Sequence, residues 1–229
     1  MEKIMRKLRS QPEEAKQFVV IGLGQFGMSV ATTLYSMGYD VLAVDISGER
    51  VDAINGKVTH AAQADATDEE ALQTLGIHNF DTAVVALGKA LQASIIVTLL
   101  LKELGVANVI VEAKTDIHAK ALGKIGADRV LFPERDMGQR VAHHLASSNI
   151  LDMIELSSEF TLMELRPLEE WIGHSLSELA MRRHYGINVV AICNAGGVNA
   201  SPKAEDVIRA EDVLLVVGAT DRLNKLARA

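Results

Sequence analysis

The chain has 229 residues, of which 48% are hydrophobic and 23% are charged, and its formal net charge is −7. This length allows one large domain or two small ones, and the acidic balance argues against a nucleic-acid binder, which needs a basic surface. A single cysteine, Cys193, excludes a disulfide scaffold and a multi-thiolate metal site. Since no apolar run reaches the roughly 18 residues of a membrane span and no signal peptide is recognisable, we expect a cytoplasmic protein.

Residues 1–16 are polar and locally basic, and we predict an N-terminal arm there that is either solvated or docks on a partner. From Gln17 onward, short β-branched runs alternate with amphipathic stretches, which is typical of βαβ units and a parallel sheet. Strands are predicted at 17–22, 39–45, 59–65, 81–87, 108–113 and 128–133. Helices are predicted at 28–38, 48–54, 67–76, 91–105 and 116–126.

The pattern changes after Pro133, where residues 134–154 are interpreted as one long helix that could leave the first domain. A smaller α+β pattern follows, with strands predicted at 160–167, 187–194, 197–202 and 212–219 and helices at 175–186 and 221–228. We therefore predict an α/β domain with its crossover helix over 17–150 and a small α+β domain over 151–229.

A glycine-rich turn joins the first predicted strand to the first helix, and it consists of Gly22, Leu23, Gly24, Gln25, Phe26 and Gly27. In a G-x-G-x-x-G motif the glycines allow a tight turn, close approach of the backbone to a phosphate, and close packing of helix on strand. Asp45 ends the next strand, 18 residues after the last glycine, where a ribose-binding acid is expected. Its carboxylate can accept from both ribose hydroxyls and repels a 2′-phosphate, which disfavours NADP. The motif predicts an adenine nucleotide and leaves NAD(H), ATP, ADP and AMP open.

The histidines do not form an arrangement that is typical of catalysis, and we assign no catalytic residue. His143 and His144 are adjacent on a predicted helix, so their side chains diverge by about 100°. We expect surface or interface histidines, and we expect Cys193 to be a small core residue of an apolar strand. An NAD-dependent oxidoreductase, which would need a second domain with an acid or base, is the alternative to a non-enzymatic protein.

Several segments together resemble the RCK (regulating conductance of potassium) subunits of bacterial Ktr/Trk potassium uptake systems. The resemblance spans about residues 16–219 and is carried by KQFVVIGLGQFG, VLAVD, QASIIVTLLLKELG, KIGADRVLFPERDMG and EDVLLVVG. It implies a Rossmann-like RCK_N domain, a crossover helix and a small α+β RCK_C domain. It also implies a homodimer that assembles into a homo-octameric ring, located in the cytoplasm at the inner face of the membrane. This ring would dock on a membrane-spanning, KtrB- or TrkH-like potassium-translocating subunit and change shape with ATP, ADP or NAD(H). A nucleotide-stabilised scaffold without switching is a further alternative.

Residue by residue, the resemblance implies that Gly22–Gly27 contact phosphates and that Asp45, followed by Ile46, contacts the ribose. The other positions that it implies for nucleotide binding are Asp65, Ala66, Thr67, Ala86, Leu87, Gly88 and Lys114. Glu134 corresponds to an acid that can hold Mg²⁺ or another cation beside ATP, or it is a helix N-terminal acid stabilised by the helix dipole.

Gln25 stands where several relatives have arginine. A neutral amide binds a terminal phosphate more weakly than a guanidinium does, so this departure favours NADH and weakens the case for strict ATP-versus-ADP discrimination. Cyclic di-AMP is implied for some RCK_C domains, here near Arg182, Asn188 and Pro202. Because Ala180 and Gly197 lack polar side chains, an ordinary dimer interface is favoured there.

Overall fold

The computed structural model describes residues 16–146, 149–157 and 159–226. Residues 1–15 of the predicted arm lie outside the described residues, as do the side chains of His143 and His144. The chain forms two compact units, one ending at Pro133 and the next beginning at Glu134. The domain limits 17–150 and 151–229 stay a prediction.

The first unit alternates strands and helices as the sequence predicts. Its strands are β1 (Gln17–Ile21), β2 (Asp40–Asp45), β3 (His60–Gln63), β4 (Thr82–Val85), β5 (Asn108–Glu112) and β6 (Arg129–Leu131). Its helices are α1 (Gln25–Ser36), α2 (Gly48–Ile54), α3 (Glu69–Thr74), α4 (Leu91–Glu103) and α5 (Asp116–Ile125), with a short 3₁₀ helix at Ile77–Asn79.

Side-chain caps set where two of these helices begin. At α3, Asp68 accepts a hydrogen bond from the Glu70 amide, and at α5 the Thr115 hydroxyl accepts from the His118 amide. Each cap satisfies one of the amides that a helix leaves free at its N-terminus. The helix predicted over 67–76 therefore begins at Glu69, directly after its cap Asp68.

The six strands form a parallel sheet in the order β3-β2-β1-β4-β5-β6. Apolar clusters cover both faces, one including Val85 with Leu101 of α4 and the other including Val20 with Ala31 of α1. Burial on both faces explains why the strands are almost continuously apolar. Chain order reverses between β1 and β4, and in such sheets the expected place for a ligand crevice is the carboxyl ends of these strands. The predicted Rossmann-like fold is confirmed.

The second unit is a small α+β fold. Its strands are β7 (Ile150–Glu155), β8 (Phe160–Leu165), β9 (Ile187–Asn194), β10 (Gly197–Asn199) and β11 (Val213–Ala219). They form an antiparallel sheet in the order β10-β9-β11-β8-β7. Its helices are α6 (Pro133–Ala146), α7 (Leu176–Leu179), α8 (Met181–His184) and α9 (Thr220–Leu226), with a 3₁₀ helix at Glu169–Trp171. Trp171, Met163 and Leu214 lie fully buried in its core.

Two predictions for this unit were wrong in detail. The long helix over 134–154 ends at Ala146, because Ile150–Glu155 instead pair with β8 and bury Ile150 and Met153 in the core. The helix predicted over 175–186 is split into α7 and α8 at Ala180, whose φ of +44° is left-handed and interrupts helical geometry. In the part of the chain that the structure describes, no helix is long and apolar enough to cross a membrane.

Candidate functional site

The glycine turn follows β1 at the carboxyl edge of the sheet and is packed tightly against its neighbours. Gly22 has a φ of +93°, which favours glycine, and its amide donates to the Val44 carbonyl at 2.8 Å. A Cβ on Gly22 would lie 2.6 Å from the Ala86 oxygen, and one on Gly27 would lie 1.9 Å from the Gly22 oxygen. These two glycines therefore allow the turn to pack against the loop after β4 and against α1.

Gly24 differs from both, because, its chain neighbours aside, the described residues place no atom within 4 Å of the position its Cβ would take. It is the N-cap residue of α1, and no side chain caps this helix; nor does an acidic side chain occupy its first turn. Amides at a helix N-terminus attract anions. The turn thus combines open space with uncapped donors, an arrangement that fits a phosphate.

Asp45 holds the turn in place from the neighbouring strand β2. Its carboxylate is only 5% exposed and accepts from the Leu23 amide at 2.6 Å and the Ser47 amide at 2.8 Å. Arg50, which the sequence analysis did not single out, adds a contact of 3.3 Å. A carboxylate has about four lone-pair sites, so about one remains for a ribose. The expectation that Asp45 accepts from both ribose hydroxyls would require one of these contacts to break.

The loops after β2 and β3 place the next predicted residues beside Asp45. The Ile46 side chain is 66% exposed and offers an apolar surface at the edge of the site, whereas Ala66 is buried. One oxygen of Asp65 accepts from both the hydroxyl and the amide of Thr67, at 2.7 and 2.9 Å. These hydrogen bonds, the hydroxyl's first, lower the pKa of Asp65 below its ordinary value, so the segment carries a negative charge at neutral pH.

The other flank of the site is formed by the loop after β4 and the end of β5. The Ala86 amide donates to the Ile21 carbonyl at 2.7 Å, which ties this loop to β1. Glu112, the last residue of β5, is buried and lies 2.8 Å from the Lys114 ammonium. A Cβ on Gly88 would lie 2.4 Å from a carboxylate oxygen of Glu112. Gly88 thus makes room for a buried charge that the sequence analysis did not identify.

His118 of α5 contradicts the expectation that the histidines lie at surfaces or interfaces. It is 2% exposed, its Nε2 lies 3.3 Å from the Ser94 hydroxyl, and its Nδ1 has no hydrogen-bond partner among the described residues. Burial lowers the pKa of His118, and the nearby negative charge of Glu112 partly opposes this shift. His118 is therefore neutral at pH 7. The helical period is the signal that could have identified it, because Leu122 and Ile125 follow His118 at i+4 and i+7 and share its face of α5.

The remaining predicted site residues are placed as follows. Gln25 and Phe26 begin α1, where Gln25 is exposed, and Leu87 lies next to Gly22. Glu134 lies in the first turn of α6 in the second unit, and its cation-binding role stays a prediction. Within the described ranges, no three histidine, cysteine or acidic side chains gather as a metal site.

The residues considered for cyclic di-AMP lie in the second unit. Arg182 Nε donates to the Asn188 side-chain oxygen at 2.7 Å, so two of the three are in contact. Cys193, expected in the core, is only half-buried in β9.

Family models match both units: the TrkA-N domain matches residues 18–133 and the TrkA-C domain matches residues 161–229. Ktr system potassium uptake protein C of Bacillus subtilis is 45% identical, over 93% of this chain and 96% of its own. Protein A of the same system and organism is 46% identical, over 89% of this chain and 91% of its own. A solved structure of the GsuK channel bound to NAD shares the fold, with a TM-score of 0.65 and 16% identity over 96% of this chain and 41% of its own. The predicted resemblance is confirmed, and the chain belongs to the TrkA-N/TrkA-C family of Ktr-type potassium uptake proteins.

Proposed function

We propose that this protein is a cytosolic, nucleotide-binding regulatory subunit of a membrane potassium transporter. The observation that carries this proposal is the open, uncapped N-terminus of α1 at Gly24, in a chain that is 45% identical to a Ktr potassium uptake protein. The relatives are named for potassium uptake, which gives the oxidoreductase alternative no support.

The ligand in this proposal is ATP, ADP or NAD(H). Gly22–Gly27 would bind its phosphates, Asp45 would accept from one ribose hydroxyl, and the exposed side chain of Ile46 would lie against the adenine. Lys114 would contribute positive charge, and Glu134 would hold Mg²⁺ or another cation with ATP. The neutral Gln25 weakens the preference for a terminal phosphate, so NADH is a serious candidate.

Regulation follows if the nucleotide binds one conformation of the assembly more tightly than another, because a ligand shifts an equilibrium only by its difference in affinity. We propose a homodimer that assembles into a homo-octameric ring at the inner face of the membrane. The ring would pass its conformational preference to a membrane-spanning, KtrB- or TrkH-like subunit.

The test is potassium flux into liposomes that contain the membrane subunit, with the regulatory protein and each nucleotide added in turn. Wild-type protein should make flux depend on which nucleotide is present. Gly24→Ala should remove this dependence, while Gly123→Ala, an open glycine in α5 away from the site, should retain it. Flux that is the same with and without protein and nucleotide would refute the proposal.

A further inference from the structure

Two buried carboxylates occupy equivalent places on either side of the glycine turn. Asp45 is the last residue of β2 and Glu112 is the last residue of β5. Both are nearly buried, at 5% and 6% exposure. The strands that carry them flank the central pair β1 and β4, one on each side.

The strand register places both carboxylates at one level and on one face of the sheet. Ile21 pairs with Val44 and with Val85, and Val85 pairs with Val111. The residues that follow these four are Asp45, Gly22, Ala86 and Glu112. Paired residues of adjacent strands share a face, and the next residues share the opposite face. A Cβ on Gly27 would lie 3.0 Å from that of Ala86, so this is the face on which α1 packs.

The spacing suits a ligand that extends across the crevice. Asp45 and Glu112 are separated by three strand spacings, roughly 14 Å at about 4.8 Å each. The glycine turn lies between them. A dinucleotide binds across the switch point of such a sheet with its pyrophosphate at the turn, which directs one ribose to each side.

Among the described residues, the Glu112 carboxylate makes fewer contacts with the protein than the Asp45 carboxylate does. Asp45 already accepts from two amides and Arg50, whereas the contact that the described residues show for the Glu112 carboxylate is the one with the Lys114 ammonium at 2.8 Å. A carboxylate has about four acceptor sites, so one that ends a strand at the ligand-binding edge of the sheet has room to accept from a ligand donor. The hydroxyl groups of a second ribose are donors of this kind.

We propose that Glu112 binds the second ribose of a dinucleotide, so that the site prefers NAD(H)-type ligands over mononucleotides. The inference deepens the proposed function and rests on it. Glu112 also disfavours ATP, because its negative charge lies on the side of the turn toward which a longer phosphate chain extends. The Lys114 ammonium, 2.8 Å from the Glu112 carboxylate, offsets part of this repulsion.

Calorimetry of the full-length protein with ADP and ADP-ribose isolates the second ribose, since both ligands share the adenosine diphosphate. We expect wild type to bind ADP-ribose about tenfold more tightly than ADP, which is the contribution of one hydrogen bond to a charged group. Glu112→Gln, which keeps the shape but not the charge, should weaken ADP-ribose about tenfold and change ADP less than twofold. Glu103→Gln, an exposed acid at the end of α4, is the matched control and should change neither.

Each outcome bears on the inference. ADP bound as tightly as ADP-ribose by wild type, or an equal effect of Glu112→Gln on both ligands, would overturn it while leaving nucleotide regulation intact. No binding of either ligand to wild type would instead overturn the proposed function, and the inference with it. If Glu112→Gln fails to fold, Glu112→Asp retains the charge and shortens the side chain by one methylene. It should still lower the affinity for ADP-ribose selectively.

Discussion

Removing the Asp45 carboxylate should destabilise the first unit even without a ligand. Asp45→Ala leaves the Leu23 and Ser47 amides without the charged acceptor they reach at 2.6 and 2.8 Å. Hydrogen bonds to charged groups contribute about 1.5–3 kcal/mol each, so we expect a loss of about 3 kcal/mol in the free energy of unfolding. Arg50 is half exposed, and its ion pair adds little to this figure.

Thermal unfolding of the ligand-free protein measures this loss. For a chain of this length 1 kcal/mol corresponds to about 2–4 °C, so Asp45→Ala should melt about 6–12 °C below wild type. Asp45→Asn should lose about half as much, because its NH₂ group cannot accept a hydrogen bond. Asp52→Ala removes an exposed carboxylate from α2 and is the matched control. If Asp45→Ala melts within 2 °C of this control, Asp45 does not hold the glycine turn.

Three further predictions concern the turn, the buried histidine and the second unit. Gly27→Ala should lower the free energy of unfolding by about 1–3 kcal/mol, because the added Cβ would overlap the Gly22 oxygen. Gly24→Ala should leave the melting temperature nearly unchanged and abolish nucleotide binding. Equal melting temperatures for the two variants would contradict the packing argument. Burial holds the pKa of His118 below its ordinary value of 6.5, so as the pH falls the unfolded chain takes up a proton before the folded chain does. The free energy of unfolding therefore decreases as the pH falls from 6.5 to the lowered pKa, by up to about 1.4 kcal/mol per pH unit. Urea midpoints from pH 8 to 5 should show this slope in wild type and a shallower one in His118→Asn, and parallel slopes would refute it. Ser175→Ala removes the hydroxyl that accepts from the Glu178 amide in a capping box and should cost about 1 kcal/mol, measured by urea unfolding, with an unchanged midpoint as the contrary result.

The strands and helices of the first unit could be predicted from the sequence because the signals for them are local. Apolar runs of strand length, bounded by glycine and by capping residues such as Asp68, require no knowledge of the tertiary structure. The glycine turn and Asp45 were identified for the same reason, since the motif fixes their spacing along the chain.

The features that sequence reasoning missed depend on contacts between distant segments. Residues 150–155 were assigned to a helix, yet they form β7 because β8 provides hydrogen-bonding partners. The sequence shows Glu112 only as a polar residue at the end of a strand, and its burial depends on tertiary contacts such as the close approach of Gly88. His118 is likewise buried by the packing of α5 against α4, where Ser94 lies fully buried.

The central claim is that a nucleotide binds at the carboxyl edge of the parallel sheet, around the glycine turn. Hydrogen exchange of the full-length protein, with and without NADH, ADP or ATP, locates the ligand directly. We predict slower exchange in residues 22–27 and 86–88. The opposite edge of the sheet holds a groove of about 470 Å³ lined by Lys16, Asn108 and Arg129, among others. Protection of that groove, with residues 22–27 unchanged, would contradict the account.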